Sequence, residues 1–201
     1  MNPNQVFINC PFDNNYFPLL KPLLFVLIYI GLVPKISETS DSGENRLNTI
    51  KKMMLSSKFS IHDLSRIKPF TITDLPRFNM PFECGFDFGI KMSNSQLYGT
   101  KKILILETEQ YRYKKFISDI SGNDIKAHKE RPETIIKVVR DWFKLNIPNV
   151  PRYKEVWLAY NEFTSDFESI LTNEGYNPQD INALTFCDII ENMSEWITEY
   201  I

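Results

Sequence analysis

Glu83 is the residue in this sequence whose type and surroundings are best suited to chemistry. It lies in the segment Arg77-Phe-Asn-Met-Pro-Phe-Glu-Cys-Gly-Phe-Asp-Phe-Gly89, which the apolar spacing predicts to be a helix. A carboxylate between Phe and Met side chains is desolvated, and desolvation raises its pKa and prepares it for chemistry. The alternative is an ordinary amphipathic helix with a solvated Glu83, since perturbed carboxylates also arise for structural reasons.

Two further polar residues share a helix face with Glu83. At a helical spacing of four, Asn79, Glu83 and Asp87 lie above one another. Gly85 and Gly89 have no side chains, so the helix backbone is exposed beside these polar residues. A glycine inside a helix costs about 1 kcal/mol relative to alanine, so two at this spacing indicate the close approach of a strand or a ligand.

Predicted strands and helices alternate through residue 145, and these elements position the acid. Short β-rich or apolar runs predict strands over residues 5–9, 32–37, 59–64, 101–107 and 125–128. Amphipathic spacing predicts helices over residues 16–30, 44–55, 76–92, 111–120 and 132–145. This alternation predicts a parallel sheet of four or five strands in the order 2-1-3-4-5, with helices on both faces.

The polar residues of interest are predicted to gather at one edge of this sheet. Ligands bind parallel sheets at the carboxyl ends of the strands, near the point where the strand order reverses. The residues there would be 9–13, 38–44, 63–66 and 107 onward. Glu83 enters the same edge from the helix after the third strand, so we expect it to lie near Asn9 and Asp63.

Length, charge and cysteine usage narrow the class of protein. The 201 residues carry a net charge of -2, so no basic field argues for direct nucleic-acid binding. Three cysteines without metal spacing, in a chain that starts without a basic or strongly apolar segment, are typical of reduced thiols in a cytosol. The apolar run over residues 23–33 is too short to span a bilayer. We therefore expect a cytoplasmic protein with no membrane partner and no metal.

Strand signals stop after residue 151, and the remainder is predicted to be helical. Helices are expected over residues 153–172 and, as one or two elements, over residues 180–200. We accordingly divide the chain into an α/β domain, residues 1–147, and a C-terminal helical extension, residues 148–201. The first of these helices carries a stripe rich in aromatic residues: Val156, Tyr160, Phe163, Phe167 and Ile170. Core packing explains most such stripes, and a partner surface is the alternative.

Four segments follow one another over about residues 5–145: Val6-Phe-Ile-Asn-Cys-Pro-Phe-Asp13, Ile61-His-Asp-Leu-Ser-Arg66, Arg77-Phe-Asn-Met-Pro-Phe-Glu83 and Tyr111-Arg-Tyr-Lys-Lys-Phe-Ile-Ser-Asp-Ile-Ser-Gly-Asn-Asp124. In this order they resemble a bacterial family of TIR-like proteins. More broadly, the chain is similar to TIR domains and to nucleoside 2-deoxyribosyltransferases. Both are small flavodoxin-like folds with a Glu on the helix after the third strand. Phe82-Glu83-Cys84-Gly85 matches the Phe-Glu-x-Gly setting of the transferases.

The resemblance implies a flavodoxin-like three-layer fold and cleavage of an N-glycosidic bond, in NAD, a nucleoside or a nucleotide. In TIR NADases a Glu at the place of Glu83 acts on the nicotinamide ribose. The family also suggests antiphage defence, a homo-oligomer and a possible partner defence protein, with the nucleotide as substrate and no separate cofactor. Two features depart from the pattern: no Trp-Cys pair precedes Glu83, and the loop after strand one is not the usual TIR sequence.

The residue types near Glu83 fit this chemistry. Breaking an N-glycosidic bond passes through an oxocarbenium-like sugar, which a positioned carboxylate stabilises or attacks covalently. Asn9 and Ser65 offer hydrogen bonds to a ligand, and Arg46 offers a partner for phosphate. Each also has an ordinary structural explanation, such as an exposed helix charge. The full set of candidate substrate-binding residues is Asn9, Asp13, Arg46, Asp63, Ser65, Asn79 and Asp87.

Asp63 and Asp87 have further roles open to them, orienting the Glu83 carboxylate or binding ribose hydroxyls. Asp63 also suggests a phospho-receiver, which has an Asp at the end of strand three. That class needs an acidic pair after strand one, where Asn9 and Cys10 stand. A non-catalytic TIR-like interaction module is the stronger alternative, in which the C-terminal aromatic helices carry assembly and Glu83 is structural. An assay for N-glycosidic cleavage separates these classes.

Overall fold

One five-stranded parallel sheet forms the centre of the structure. The computed structural model describes residues 1–37, 43–67 and 75–201. Its strands pair in the order β2-β1-β3-β4-β5, and every pair is parallel. The predicted sheet and its strand order are therefore confirmed. The strands are β1 (Asn2–Asn9), β2 (Val33–Ile36), β3 (Ser57–Asp63), β4 (Lys102–Glu107) and β5 (Lys126–Ala127).

The helices follow the predicted alternation closely. The α2 helix begins after Asn45, whose side chain accepts the N–H of Leu47. The α5 helix begins with Pro132. Proline is favoured at this position because the first turn of a helix does not use the backbone N–H that proline lacks. Within the described ranges the α-helices are α1 (Phe17–Tyr29), α2 (Arg46–Ser56), α3 (Asn79–Ser93), α4 (Ser95–Tyr98), α5 (Pro132–Lys144), α6 (Tyr153–Asn173), α7 (Pro178–Asn182) and α8 (Phe186–Tyr200).

Residues 111–120 form two short 3-10 turns, Arg112–Lys115 and Ser118–Ile120, where the sequence predicts one helix. Tyr111 precedes them in the left-handed region with a φ of 67°. An α-helix of L-residues excludes that conformation. Arg112 is also tied to Glu107 at the end of β4, with Nε donating to Oε2 at 2.7 Å. Its Nη2 also donates to the main-chain oxygen of Ser65 at 2.6 Å, so a contact distant in sequence, rather than the local pattern alone, accounts for the structure of this segment.

Alternate side chains of β1 enter the apolar cores on opposite faces of the sheet. Val6 and Ile8 belong to the core that contains α1 and α5, whereas Phe7 packs with Ile50 and Met54 of α2. The α1 helix contacts α5 on one face, and α2 contacts α3 on the other. The sheet therefore has helices on both faces, as the alternation predicts.

The C-terminal helices complete the core around α1. Both α6 and α8 contact α1. The Phe25 ring of α1 lies between 5.3 and 6.1 Å, centroid to centroid, from the rings of Tyr160, Phe163 and Trp196. Enclosure on several sides explains why α1 is a nearly continuous apolar run. Core packing thus accounts for much of the aromatic stripe.

Among the helices of the described residues, none is long and apolar enough to cross a membrane.

Part of the predicted ligand edge lies outside the described residues. Of the predicted segment 38–44, only residues 43 and 44 are described, and residues 68–74, which precede α3, are also outside. The described part of the edge consists of the carboxyl ends of the strands and the first turn of α3.

Candidate active site

The first turn of α3 lies against the carboxyl end of β1. Asn9 is the last residue of β1, and its Nδ2 donates to the main-chain oxygen of Met80 at 2.9 Å. Pro81 occupies the first turn of the helix, where its missing N–H does not interrupt the hydrogen-bonding pattern. This contact brings Glu83, one turn into α3, to the predicted edge of the sheet.

Glu83 is a buried carboxylate without a partner among the described residues. It is 8% exposed, and its oxygens accept no hydrogen bond and form no ion pair within that part of the chain. Burial raises the pKa of Glu83, and the positive charge of Arg46 acts in the opposite direction. Cys10 is fully buried nearby. Burial, and then the charges of Asp63, Glu83 and Asp13, raise the pKa of its thiol well above the usual value.

Arg46, the first residue of α2, brings a positive charge to the neighbourhood of Glu83. Its Nη1 donates to the main-chain oxygen of Ser37 at 3.2 Å, just beyond the end of β2. Its charge lowers the pKa of Glu83 and so opposes the effect of burial. The residue is exposed, and no described carboxylate forms an ion pair with it. This guanidinium is available to a phosphate group.

A buried polar network connects β1, β3 and α3. Asn9 Nδ2 lies 3.0 Å from His62 Nδ1, and His62 Nε2 lies 3.1 Å from Asp87 Oδ2. Because an amide nitrogen only donates, His62 Nδ1 is the acceptor and Nε2 carries the proton given to Asp87. Both Nδ2 protons of Asn9 are used, one by Met80 and one by His62. The network fixes the start of α3 to the end of the sheet.

A buried lysine compensates the charge of Asp87. Lys101 Nζ lies 3.3 Å from Asp87 Oδ1 and donates to the main-chain oxygens of Met54 at 2.7 Å and Ser57 at 3.0 Å. Burial alone would raise the pKa of Asp87, but the hydrogen bond from His62 and the nearby positive charge lower it overall. Asp87 and Lys101 are both 0% exposed, so Asp87 has no surface with which to contact a substrate.

Asp63 joins three loops at the carboxyl edge. Its Oδ2 accepts the Tyr16 hydroxyl at 2.6 Å and lies 3.2 Å from His128 Nε2, and its Oδ1 accepts the Ser65 N–H at 2.8 Å. Glu130 donates its N–H to His128 Nδ1 at 3.0 Å, so the ring proton is on Nε2. Burial alone would raise the pKa of Asp63, but His128 and the hydrogen bonds from neighbouring residues lower it to about 2. Asp63 is also fully buried.

Asp13, in the loop after β1, forms ion pairs with two arginines. Its Oδ1 accepts Arg66 Nη2 at 2.9 Å, and Arg77 Nη2 lies 3.6 Å from its Oδ2. The same Oδ1 accepts the N–H of Tyr16 at 3.1 Å, which supports the turn that leads into α1. The side chain of Asp13 remains partly exposed.

Ser65 and Asn79 differ in accessibility. Ser65 is buried, and its main-chain oxygen accepts Arg112 Nη2 at 2.6 Å. Asn79 is the first residue of α3 and is exposed. The structure therefore ties Ser65 into the loops around Asp63 and leaves the Asn79 side chain accessible.

Sequence reasoning misses several residues of these networks. His62 gives a signal, because it stands directly before Asp63 at the end of β3. Lys101 precedes the apolar run of β4, where a lysine usually marks an exposed strand end. The missed residues include Tyr16, His62, Arg77, Lys101, Arg112 and His128.

No metal site accompanies these residues in the part of the chain that the structure describes, since no three His, Cys, Asp or Glu side chains there come together to hold an ion. Comparison of the chain with protein-family models, with curated proteins and with solved structures gives no match. The family resemblance therefore rests on the four sequence segments given above. The geometry itself provides a buried carboxylate without a partner among the described residues, and a nearby arginine, at the carboxyl edge of a parallel sheet.

Proposed function

We propose that this chain cleaves the N-glycosidic bond of NAD or a related nucleotide, with Glu83 as the catalytic carboxylate. The observation that carries the proposal is the state of Glu83, which is buried, has a raised pKa and has no partner among the described residues. Buried carboxylates are normally paired, because an isolated charge inside a protein is unfavourable. An unpaired one at this edge suits a ligand that develops positive charge.

The ribose of the substrate develops that charge. As the bond between C1′ and the nicotinamide nitrogen breaks, the electron pair leaves with the nicotinamide, which becomes neutral. The Glu83 carboxylate stabilises the resulting oxocarbenium-like ribose or attacks C1′ to form a covalent intermediate. Water then adds to C1′ and loses a proton, so the products are nicotinamide, ADP-ribose and a proton.

Arg46 serves the same reaction in two ways. Its exposed guanidinium is available to the pyrophosphate of the substrate. Its positive charge also lowers the pKa of Glu83 against the effect of burial. The arginine thus favours the ionised form of the carboxylate, which is the form that stabilises a cation, although burial still raises the pKa of Glu83 overall.

The buried candidates support the site in this proposal. Asn9, Asp63 and Asp87 are each at most 2% exposed, so they hold α3 and the loops rather than touch the substrate. A catalytic group requires such support, because a small displacement of the carboxylate lowers the rate strongly.

The resemblance extends the proposal to the setting of the reaction. It supports antiphage defence in the cytoplasm, a homo-oligomeric assembly and a possible partner defence protein. The nucleotide is the substrate in this reading, and no separate cofactor is involved.

An interaction module is the second candidate function, and the exposed face of α3 favours it. Phe78 is 68% exposed and Phe82 is 60% exposed, at a helical spacing of four. Gly85 and Gly89 continue this face, and nothing described lies within 4 Å of a Cβ built on either glycine. Of the two possibilities expected beside these glycines, a strand or a ligand, no strand approaches them among the described residues. Light scattering of the parent and of Phe82→Ser tests whether this face assembles.

Release of the base tests the proposed reaction directly. The pure chain is incubated with NAD and with a panel of nucleosides and nucleotides, at protein concentrations up to tens of micromolar, and free bases are separated by chromatography. We expect nicotinamide and ADP-ribose to appear together from NAD, or a base and its sugar from a related nucleotide. Absence of base release from every compound would favour the interaction module.

A further inference from the structure

A separate cleft opens at the carboxyl edge of the sheet, and we call it the α1 cleft. Its volume is about 590 Å³, within the usual range for small-molecule sites. The start of α1 forms one side, and the loops after β3, β4 and β5 form the other. Its wall includes Ser65 and Arg112 but neither Glu83 nor Arg46. Arg112 belongs to the segment 111–124, which the proposed chemistry of Glu83 leaves unused.

A buried hydroxyl in the wall of the α1 cleft has no hydrogen-bond partner. Thr108 follows β4 and is 9% exposed, and its Oγ1 has no partner in the described part of the chain. Buried hydroxyls in folded proteins are normally hydrogen-bonded, so an exception needs an explanation. A ligand in the cleft that accepts or donates at this hydroxyl would provide one.

Arg112 is a prepositioned donor in the same wall. Its Nε donates to Glu107 Oε2 at 2.7 Å, and its Nη2 donates to the main-chain oxygen of Ser65 at 2.6 Å. Its Nη1 makes no hydrogen bond with a described residue. Because hydrogen bonds hold Nε and Nη2, the guanidinium has a fixed orientation. Its Nη1 remains able to donate to an acceptor group such as a carboxylate.

The rim of the α1 cleft is acidic. Arg112 is compensated by Glu107, and Arg66 by Asp13 at 2.9 Å. Glu109 and Glu130 are exposed lining residues. Neither forms an ion pair with a described residue. An ammonium group is therefore attracted to the rim, and a multiply charged phosphate is repelled.

The backbone holds one of these acids in place. Glu130 is in the left-handed region, with a φ of 54°, and so is Lys129 before it. Lys129 donates its N–H to the main-chain oxygen of Thr108 at 3.0 Å, and Glu130 donates its own to His128 Nδ1 at 3.0 Å. The loop after β5 is thus fixed to the loop after β4, which carries the unpaired hydroxyl.

We propose that the α1 cleft binds a free α-amino acid, with its carboxylate beside Arg112 Nη1 and the Thr108 hydroxyl and its ammonium at the acidic rim. Besides partners for its carboxylate and its ammonium, an amino acid needs a surface for its side chain. Pro18 and Leu19 at the start of α1 provide an apolar one. The site is independent of the proposed N-glycosidic cleavage, because it uses no group of the Glu83 site.

The test begins by mixing the parent chain with each standard amino acid at millimolar concentration and detecting binding by ligand-observed NMR. Calorimetry then compares the tightest binder with two analogues, one without the carboxylate and one without the ammonium. We expect each analogue to bind about tenfold more weakly, since each loses one end of the recognition. Glu83→Gln should bind the amino acid as the parent does, whatever its catalytic activity.

Matched variants assign the binding to the cleft. Thr108→Val keeps the shape and removes the unpaired hydroxyl, so it should fold as the parent does and bind about five- to tenfold more weakly. Thr164→Val makes the same change on the exposed side of α6 and should leave affinity unchanged. Glu130→Gln, at an exposed position, should weaken binding of the amino acid but not of the ammonium-free analogue.

Three results would overturn the proposal. The first is that no amino acid binds at millimolar concentration. The second is that the ammonium-free analogue binds as tightly as the amino acid. The third is that both Thr108→Val and Glu130→Gln bind as the parent does.

Discussion

Glu83 and Asp87 lie one turn apart on α3 and both are buried, but their carboxylates have opposite surroundings. Asp87 is held between His62 Nε2 at 3.1 Å and Lys101 Nζ at 3.3 Å, and its pKa is lowered. Glu83 has no partner among the described residues, and its pKa is raised. The two acids share one apolar helix, so the difference comes from the elements that pack against each turn.

This difference separates a paired, stabilising carboxylate from the one to which we assign the proposed chemistry. The hydrogen bonds and charges around Asp87 tie α3 to β1, β3 and the start of β4. They hold the helix in place while the Glu83 carboxylate, one turn away, has no hydrogen-bond or ion-pair partner among the described residues. Proteins tolerate such locally unfavourable groups at functional sites when the surrounding structure is stable.

Asp87→Asn should cause the largest loss of stability, because it leaves Lys101 buried without a countercharge. We expect the free energy of unfolding to fall by about 3–5 kcal/mol, measured by urea unfolding at neutral pH. Asp141→Asn is the matched control, since the ion pairs of Asp141 with Lys137 and Arg140 lie on the surface of α5. That change should cost less than about 1 kcal/mol. Equal losses in the two variants would contradict the role assigned to Asp87.

Asp63 extends the comparison to pH, because it is a second paired carboxylate. Its pKa is about 2 in the folded chain, below that of an unfolded Asp, so its stabilising contribution is present at neutral pH. That contribution is lost as the pH falls from about 4 toward 2. Over this interval the parent should lose roughly 2 kcal/mol more than Asp63→Asn, as measured by urea unfolding at several pH values. Parallel pH profiles for the two proteins would show that Asp63 is not held in its ionised form.

Glu83→Gln should have the smallest effect on stability, and in the opposite direction. The pKa of Glu83 is raised on folding, so its contribution to stability is present at acid pH and is lost as the pH rises through the folded pKa. At neutral pH the ionised side chain is therefore unfavourable, and its neutral analogue should leave stability unchanged or raise it by up to about 1 kcal/mol. Thermal unfolding at pH 7 measures this change. A clear loss of stability would indicate that Glu83 has a stabilising partner.

The strands could be predicted because each carries its own pattern, and the parallel sheet and its order could be predicted from their alternation with helices. The β4 strand is a continuous apolar run, and polar turn residues follow β1 and β3. The structure of residues 111–120 could not be predicted, because the hydrogen bond from Arg112 to the main-chain oxygen of Ser65 ties the segment to a residue distant in sequence. Local spacing reports helical preference and contains no information about such a contact.

The position of Glu83 at the edge of the sheet could also be predicted, since alternation fixes which ends of the elements meet. The network beside it could not. His62, Asp87 and Lys101 come from β3, α3 and the residue before β4, and their pairing depends on strand register and helix orientation. For the same reason the sequence offers Asp87 as a substrate-binding candidate, although the structure encloses it completely.

The rate of nicotinamide release from NAD tests the central proposal, that the Glu83 carboxylate, which has no partner among the described residues, is catalytic in cleavage of the N-glycosidic bond. Three proteins are compared: the parent, Glu83→Gln, and Glu174→Gln, which makes the same change at an exposed position after α6. Loss of about 3–4 kcal/mol of transition-state stabilisation should slow Glu83→Gln by a factor on the order of 10²–10³, and by more if Glu83 is a nucleophile. Glu174→Gln should match the parent. Release by Glu83→Gln at the parent rate would contradict the catalytic assignment.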